Sequence, residues 1–302
     1  MWRVVLSVIS FCYNLKIKWC FVILAIFNSA VLASQADSVL VDIQWLVEHQ
    51  NDVNIKIVDA RSEAAYKAGH IEGAVNIPVA DTFNPVINTD RVGNLKYIST
   101  LFSKAGVRKE HTIVVYDGNT YIDAGRVFWV FELYGHKNVK LLDGGIKGWQ
   151  AYSNQALSKK ITSSEKSNYI PTIEPRRLIT KFSMRLAIDD DEKLIIDARS
   201  KQEYVGNESI ALRSGHIPGA ISIPWDQNFI EIDGIRMLKP IDSLKAIYDK
   251  KVNGKKVYLY CNKGRQSSFS YTILRQLGHD VAHYDGSWFE WGNDESLPIE
   301  NN

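Results

Sequence analysis

Three cysteines in 302 residues leave little with which to cross-link a fold, and none of them stands in a Cys-x-x-Cys pair. With the seven histidines scattered along the chain, no metal site, zinc above all, is expected. An excess of one charge is missing too. The 36 lysines and arginines nearly balance 34 aspartates and glutamates, for a net charge of +2, whereas a nucleic-acid partner requires a marked basic face. The apolar stretch Trp19 to Phe27 falls short of the roughly 20 residues that span a bilayer.

What is present suffices for sizeable cores. The chain is 45% hydrophobic and 23% charged, and its length favours two domains over one. Residues 1–36 do not belong to either. Arg3, Lys16 and Lys18 precede the apolar stretch, and Ser29-Ala30-Val31-Leu32-Ala33 supplies the small residues after which a signal peptidase cuts. The segment therefore reads as a signal peptide or, uncleaved, an N-terminal anchor, and the protein is expected to be exported, periplasmic or secreted. Cleavage after Ala33 removes three basic groups and no acidic one, taking the net charge from +2 to −1. It also removes Cys12 and Cys20, so Cys261 is left with no partner for a disulfide. A lone thiol exposed to an oxidising compartment needs a reason to be there.

An internal repeat sets the domains. IVDARSEAAYKAGHIEGAVNIP at 57–78 returns as IIDARSKQEYVGNESIALRSGHIPGAISIP at 195–224, with eight extra residues before the second Gly-His-Ile. LYGHKNVKLLDGGIKGW at 133–149 returns as QLGHDVAHYDGSWFEW at 276–291, in the same order. Dissimilar blocks repeated once in fixed order indicate a duplicated domain, since solenoid units are shorter and more numerous. The halves fall at 37–152 and 173–302, joined by a linker at 153–172 whose early part is rich in serine and lysine. The runs Ile55–Val58, Ile113–Tyr116, Leu194–Ile196 and Val257–Tyr260, with helical patterns between them, predict an α/β fold: in each half an open parallel sheet flanked by helices.

Ligands bind such sheets beyond the carboxyl ends of the strands, and Cys261 occupies that place after Val257–Tyr260. The following Asn262-Lys263-Gly264-Arg265-Gln266-Ser267 leads into a helix expected from about Ser268, with Ser267 or Ser268 able to cap it. A loop of this kind can curl its N–H groups inward, with Gly264 at the tight turn, to make an anion cradle. Such a cradle, the helix N-terminus, Lys263 and Arg265 are expected to favour thiolate and to make Cys261 a nucleophile.

The blocks Asp197-Ala198-Arg199, Gly215-His216-Ile217-Pro218-Gly219-Ala220, the Cys261 loop, and Asp285-Gly286 with Trp288 and Trp291 resemble the rhodanese family, specifically its tandem-domain sulfurtransferases. The similarity runs from about Val39 to Glu300. It implies two rhodanese-like domains and a Cys261 that cycles between thiolate and persulfide; a monomer and no cofactor are expected. A small anionic donor, thiosulfate or 3-mercaptopyruvate, supplies the sulfur, and cyanide or a thiol accepts it. The resemblance makes Cys261 the catalytic residue and Asn262, Lys263, Gly264, Arg265, Gln266 and Ser267 the substrate-binding loop. Lys263 matches a lysine of thiosulfate-using members, so thiosulfate is the expected donor. Two positions depart from the pattern: Asn262 stands where those members often carry arginine, and Glu203 where vertebrate members place a substrate-binding arginine. Arg213, inside the insertion, is the candidate replacement, because an arginine fork suits a sulfonate or carboxylate.

Aligning Tyr116 with Tyr260 sets Asp117 opposite Cys261, in a loop with two carboxylates and no cation before Arg126. No anion cradle is expected there, and the first half reads as structural. His70 and His216, and the pairs Asp59 with Arg61 and Asp197 with Arg199, recur in both halves and so read as structural. Trp149, Trp288 and Trp291 read as packing anchors. Two other classes compete with the sulfurtransferase. Dual-specificity phosphatases share the cysteine-loop geometry but need an arginine six positions after the cysteine, where this chain has Ser267. A non-enzymatic persulfide carrier or redox module fits the same residues.

Overall fold

The computed structural model describes residues 38–85 and 89–301. The reading of residues 1–36 as a signal or anchor lies outside them. No described helix is long and apolar enough to cross a membrane.

Each half builds a five-stranded parallel sheet. The first orders its strands Leu40–Val41, Val139–Leu142, Thr112–Tyr116, Ile55–Asp59 and Val75–Asn76; the second orders Leu178–Ile179, Val281–Tyr284, Lys256–Tyr260, Lys193–Asp197 and Ile221–Ser222, the same topology repeated. The central register is duplicated as well, with Asp59 opposite Tyr116 and Asp197 opposite Tyr260. These strands are β-branched and apolar because helices cover both faces. Every expected strand is present, extended by one residue or two.

One buried cluster is shared by the two sheets, and each half keeps a second cluster of its own. The helix Ile122–Leu133 is buried on almost every side, and it packs against the equally buried Gln266–Gln276 helix of the other half. Their backbones meet at Gly125, where a Cβ would lie 2.7 Å from the Cα of Phe269. Any side chain at 125 would push the helices apart. Each half also extends a hairpin toward the other. The first, Phe83–Asn84 with Thr89–Val92, places the Val92 N–H on Asp285; the second, Phe229–Ile232 with Ile235–Leu238, places the Leu238 N–H on Asp143. Residues 153–174 form no helix or strand, yet the segment adheres to the first half: Tyr169 is buried edge-on against Phe102, and Thr172 donates to the Tyr134 carbonyl.

Two of the buried histidines are held neutral by that burial. Burial lowers His283 to about 3 and His136 to about 4, whereas the unfolded chain restores an ordinary value of about 6.5. Below about pH 6.5 the unfolded chain therefore binds protons that the fold refuses, and stability falls as pH drops, by about 1.4 kcal/mol per pH unit for each imidazole. Thermal unfolding followed from about pH 7 to about pH 4.5 is expected to show a steadily falling midpoint. A flat profile over that range would contradict neutral buried imidazoles.

Candidate active site

Cys261 follows the central strand Lys256–Tyr260 at its carboxyl edge and is 1% exposed. Its N–H donates to Ser287 Oγ at 3.2 Å. Behind it, Tyr260 donates to Asp197 at 2.7 Å and accepts the Ile217 N–H, while Arg199 pairs with Asp197 and donates to the Gly215 carbonyl. The first half repeats this network with Tyr116, Asp59, Ile71, Arg61 and Gly69. The aspartate–arginine pairs are therefore loop ties. His70 and His216 are structural as well, each bonded through Nδ1 to a backbone carbonyl, of Tyr66 and Tyr204. Trp149, Trp288 and Trp291 are fully buried core residues.

The helix after the cysteine begins at Gln266, two residues before the expected start, and no side chain caps it. Ser267 and Ser268 are not caps because both are buried on its inner face: Ser267 Oγ lies 2.8 Å from His283 Nε2, and Ser268 Oγ donates to the Gly264 carbonyl at 2.5 Å. The loop's carbonyls are held from outside. The N–H of Trp288 takes the Cys261 carbonyl at 2.9 Å and that of Phe289 takes the Asn262 carbonyl at 3.0 Å. In a trans peptide the C=O and the next N–H point opposite ways. Holding the carbonyls of residues 261, 262 and 264 outward thus turns the N–H groups of Asn262, Lys263 and Arg265 to the other side. Among the described residues, no backbone N–H from 262 to 268 donates to a protein acceptor. A run of unpaired donors at a helix N-terminus is an anion site.

The first half supplies an internal comparison and a correction. Its loop has the same length, with helix Ile122–Leu133 starting five residues after Asp117 just as Gln266 lies five after Cys261. It does build an anion cradle, and Asp117 itself fills it. One carboxylate oxygen accepts the N–H groups of Asn119 and Thr120, and the other accepts those of Asp123 and Ala124 and the Thr120 hydroxyl. The expectation failed because it counted charges brought by side chains, whereas the donors here are backbone. The two loops differ in conformation, left-handed at Asn119 and Tyr121 in one and at Gly264 alone, φ 72°, in the other.

The loop cations are both tied to the first half. Lys263 Nζ sits 2.9 Å from Asp90 and above the Phe289 ring, and Arg265 pairs with Asp123. Burial raises the Asp123 carboxyl above its ordinary value, against the opposing pull of Arg265. Asn262 and Glu203, the two departures from the family pattern, are partners: Asn262 Nδ2 donates to Glu203 Oε1 at 2.5 Å. Gln266 is in the first turn of the helix, with its side-chain oxygen buried and unpaired. Arg213, the candidate substrate arginine, has its guanidinium engaged elsewhere. Its guanidinium is taken up by the carbonyls of Trp291, Gly292, Asp294 and Leu297, where it closes the end of helix Ser287–Trp291. A cleft of about 670 Å³, lined by Lys263, Asp90, Asp285, Gly286 and Phe289 among others, opens beside the loop.

Under Gly264 lies a buried ion pair that the sequence did not single out. Arg126 of the first half pairs with Asp285, both essentially without exposure. Although burial alone would raise it, the Arg126 charge holds the Asp285 carboxyl below its ordinary range. A Cβ on Gly264 would lie 2.9 Å from the Asp285 carbonyl and 3.1 Å from the His283 ring. The one available signal was repetition, since Asp285-Gly286 answers Asp143-Gly144 in the duplicated block.

A model of the rhodanese-like domain matches residues 42–152 and 183–294. The chain is 33% identical over 278 residues to the "Putative thiosulfate sulfurtransferase" of Saccharopolyspora erythraea, covering 88% of this chain and 97% of that one. It is 30% identical over 279 residues to the sulfur carrier protein TtuD of Thermus thermophilus, covering 86% and 96%. Among solved structures, SseA from Escherichia coli, described as a 3-mercaptopyruvate sulfotransferase of the rhodanese fold, superposes with a TM-score of 0.74 at 26% identity, over 83% of this chain and 99% of that one.

Proposed function

The chain belongs to the rhodanese-like domain family and is a sulfurtransferase, and from that premise we propose that Cys261 carries the transferred sulfur as a persulfide drawn from thiosulfate. The Cys261 thiolate attacks the sulfane sulfur of thiosulfate, a sulfur–sulfur bond forms at Sγ, and the S–S bond of the donor breaks to release sulfite with the electron pair. Charge is conserved, since a monoanion and a dianion give a persulfide monoanion and a sulfite dianion. Cyanide or a thiol then attacks the outer sulfur; cyanide leaves as thiocyanate, a thiol as its persulfide, and the Cys261 thiolate returns.

The observation that carries this reading is the set of unpaired N–H groups from Asn262 to Ser268 in the loop and first helical turn that follow a buried cysteine. They stabilise a negative charge beyond Sγ without a side chain that must move. Lys263 and Arg265 are near-half exposed but each is paired with a carboxylate, Asp90 and Asp123, so the backbone donors, and not a net side-chain charge, support an anionic donor. A carrier role without fast turnover is the second reading, favoured by the likeness to TtuD.

Incubating the purified protein with thiosulfate or 3-mercaptopyruvate separately, then measuring intact mass, is expected to show one added sulfur on Cys261 from thiosulfate and its loss on adding cyanide. No mass gain from either donor would sink the persulfide. Gain from mercaptopyruvate alone would reverse the donor, and a persulfide that forms once without multiple turnover would select the carrier.

A further inference from the structure

The catalytic loop is shaped in part by a residue of the half that has no nucleophile. Arg126 enters from helix Ile122–Leu133 and is wholly buried, its guanidinium lying over the rings of Trp129 and Phe83 at 4.6 and 5.1 Å. Its Nη1 pairs with Asp285 and reaches the Gly264 carbonyl at 3.4 Å, and its Nη2 reaches the Asp90 carbonyl at 3.4 Å. The Gly264 carbonyl thus has two donors, Ser268 Oγ at 2.5 Å from its own helix and Arg126 from the opposite half. Gly264 also rests on the ion pair, with the Asp285 Oδ1 only 3.0 Å from where a Cβ would stand.

From this geometry we infer that Arg126 is a positioning residue for sulfur transfer: by holding the Gly264 carbonyl outward, it aims the Arg265 N–H at the anion bound beyond Cys261. The peptide plane makes the link, because the 264 carbonyl and the 265 N–H are fixed in opposite directions. If the carbonyl turned, it would present a partial negative charge to the donor. An arginine suits this place better than a lysine, since its planar fork addresses Asp285, Gly264 and Asp90 at once. The first half is then more than structural.

This inference rests on the thiosulfate reading of Cys261, and the wild-type mass gain tests that reading independently. Steady-state kinetics with thiosulfate and cyanide are to be measured on Arg126→Lys, which keeps the charge opposite Asp285 but loses the fork. The Ser268→Ala variant removes the other donor to the same carbonyl. The expected result is a KM for thiosulfate raised about tenfold in each, with kcat within about threefold, the loss of one charge-assisted or one strong neutral hydrogen bond to the aiming carbonyl. The double variant should depart from the product of the two, because both act on one group. A second variant, Arg126→Met with Asp285→Leu, removes both charges and leaves none buried alone; it should show the same rise in KM.

A role confined to tying the halves together predicts something different, a lowered unfolding midpoint with KM unchanged. That pattern in folded Arg126→Lys or in the charge-free pair overturns the inference. Failure of both to fold would do so too, by assigning Arg126 to stability alone. Wild-type protein that takes no sulfur from thiosulfate would instead remove the premise.

Discussion

Cys261→Ser is expected to keep the fold and abolish the reaction. The serine oxygen replaces a buried sulfur that has no side-chain hydrogen bond among the described residues, and the loop's unpaired N–H groups can satisfy it. Unfolding free energy should therefore move by no more than about 1 kcal/mol. Turnover should drop by at least about 10³-fold, because a hydroxyl at neutral pH supplies neither the nucleophile nor a labile sulfur–sulfur bond. Thiocyanate release from thiosulfate and cyanide, measured beside the denaturation curve of the same sample, checks both halves of the statement. Residual activity within tenfold of wild type would place the chemistry on another group.

The converse is expected of Asp117→Ala. That carboxylate accepts four backbone N–H groups and a hydroxyl while 1% exposed, so its removal leaves five donors without their acceptor. A loss of about 3–5 kcal/mol is the scale for stripping one partner from a buried, charged, hydrogen-bonded group. Asp117→Asn should recover part of it, since one amide oxygen still accepts. Chemical denaturation gives the number, and a cost below about 1 kcal/mol would mean that the loop holds its shape without the carboxylate. The two positions hold equivalent places in the repeat yet fail in opposite ways, one in function and one in stability.

The architecture was legible because it is written locally. The strand runs at Ile55–Val58, Ile113–Tyr116, Leu194–Ile196 and Val257–Tyr260 each fell within an observed strand, since buried parallel strands advertise themselves as short apolar runs between turn residues. The cysteine loop was legible from its position after such a run. Its electrostatics were not. The partners of Lys263 and Arg265 are Asp90 and Asp123, far off in sequence, and only the packing of the halves brings them together. Arg213 illustrates the same limit: its place in the insertion and its fork suggested a substrate arginine, but four carbonyls in and beyond another helix take up its guanidinium. Asn262 and Glu203 looked like two separate losses and are one contact.

The exchanged hairpins carry an evolutionary consequence. Because Val92 of one half caps Asp285 of the other, and Leu238 returns the favour to Asp143, neither copy has a finished surface of its own. Recombination that replaced a single copy with a paralogue's would have to match this seam on both sides at once. The twin units are thus bound to drift as a pair, even though only one of them holds a cysteine.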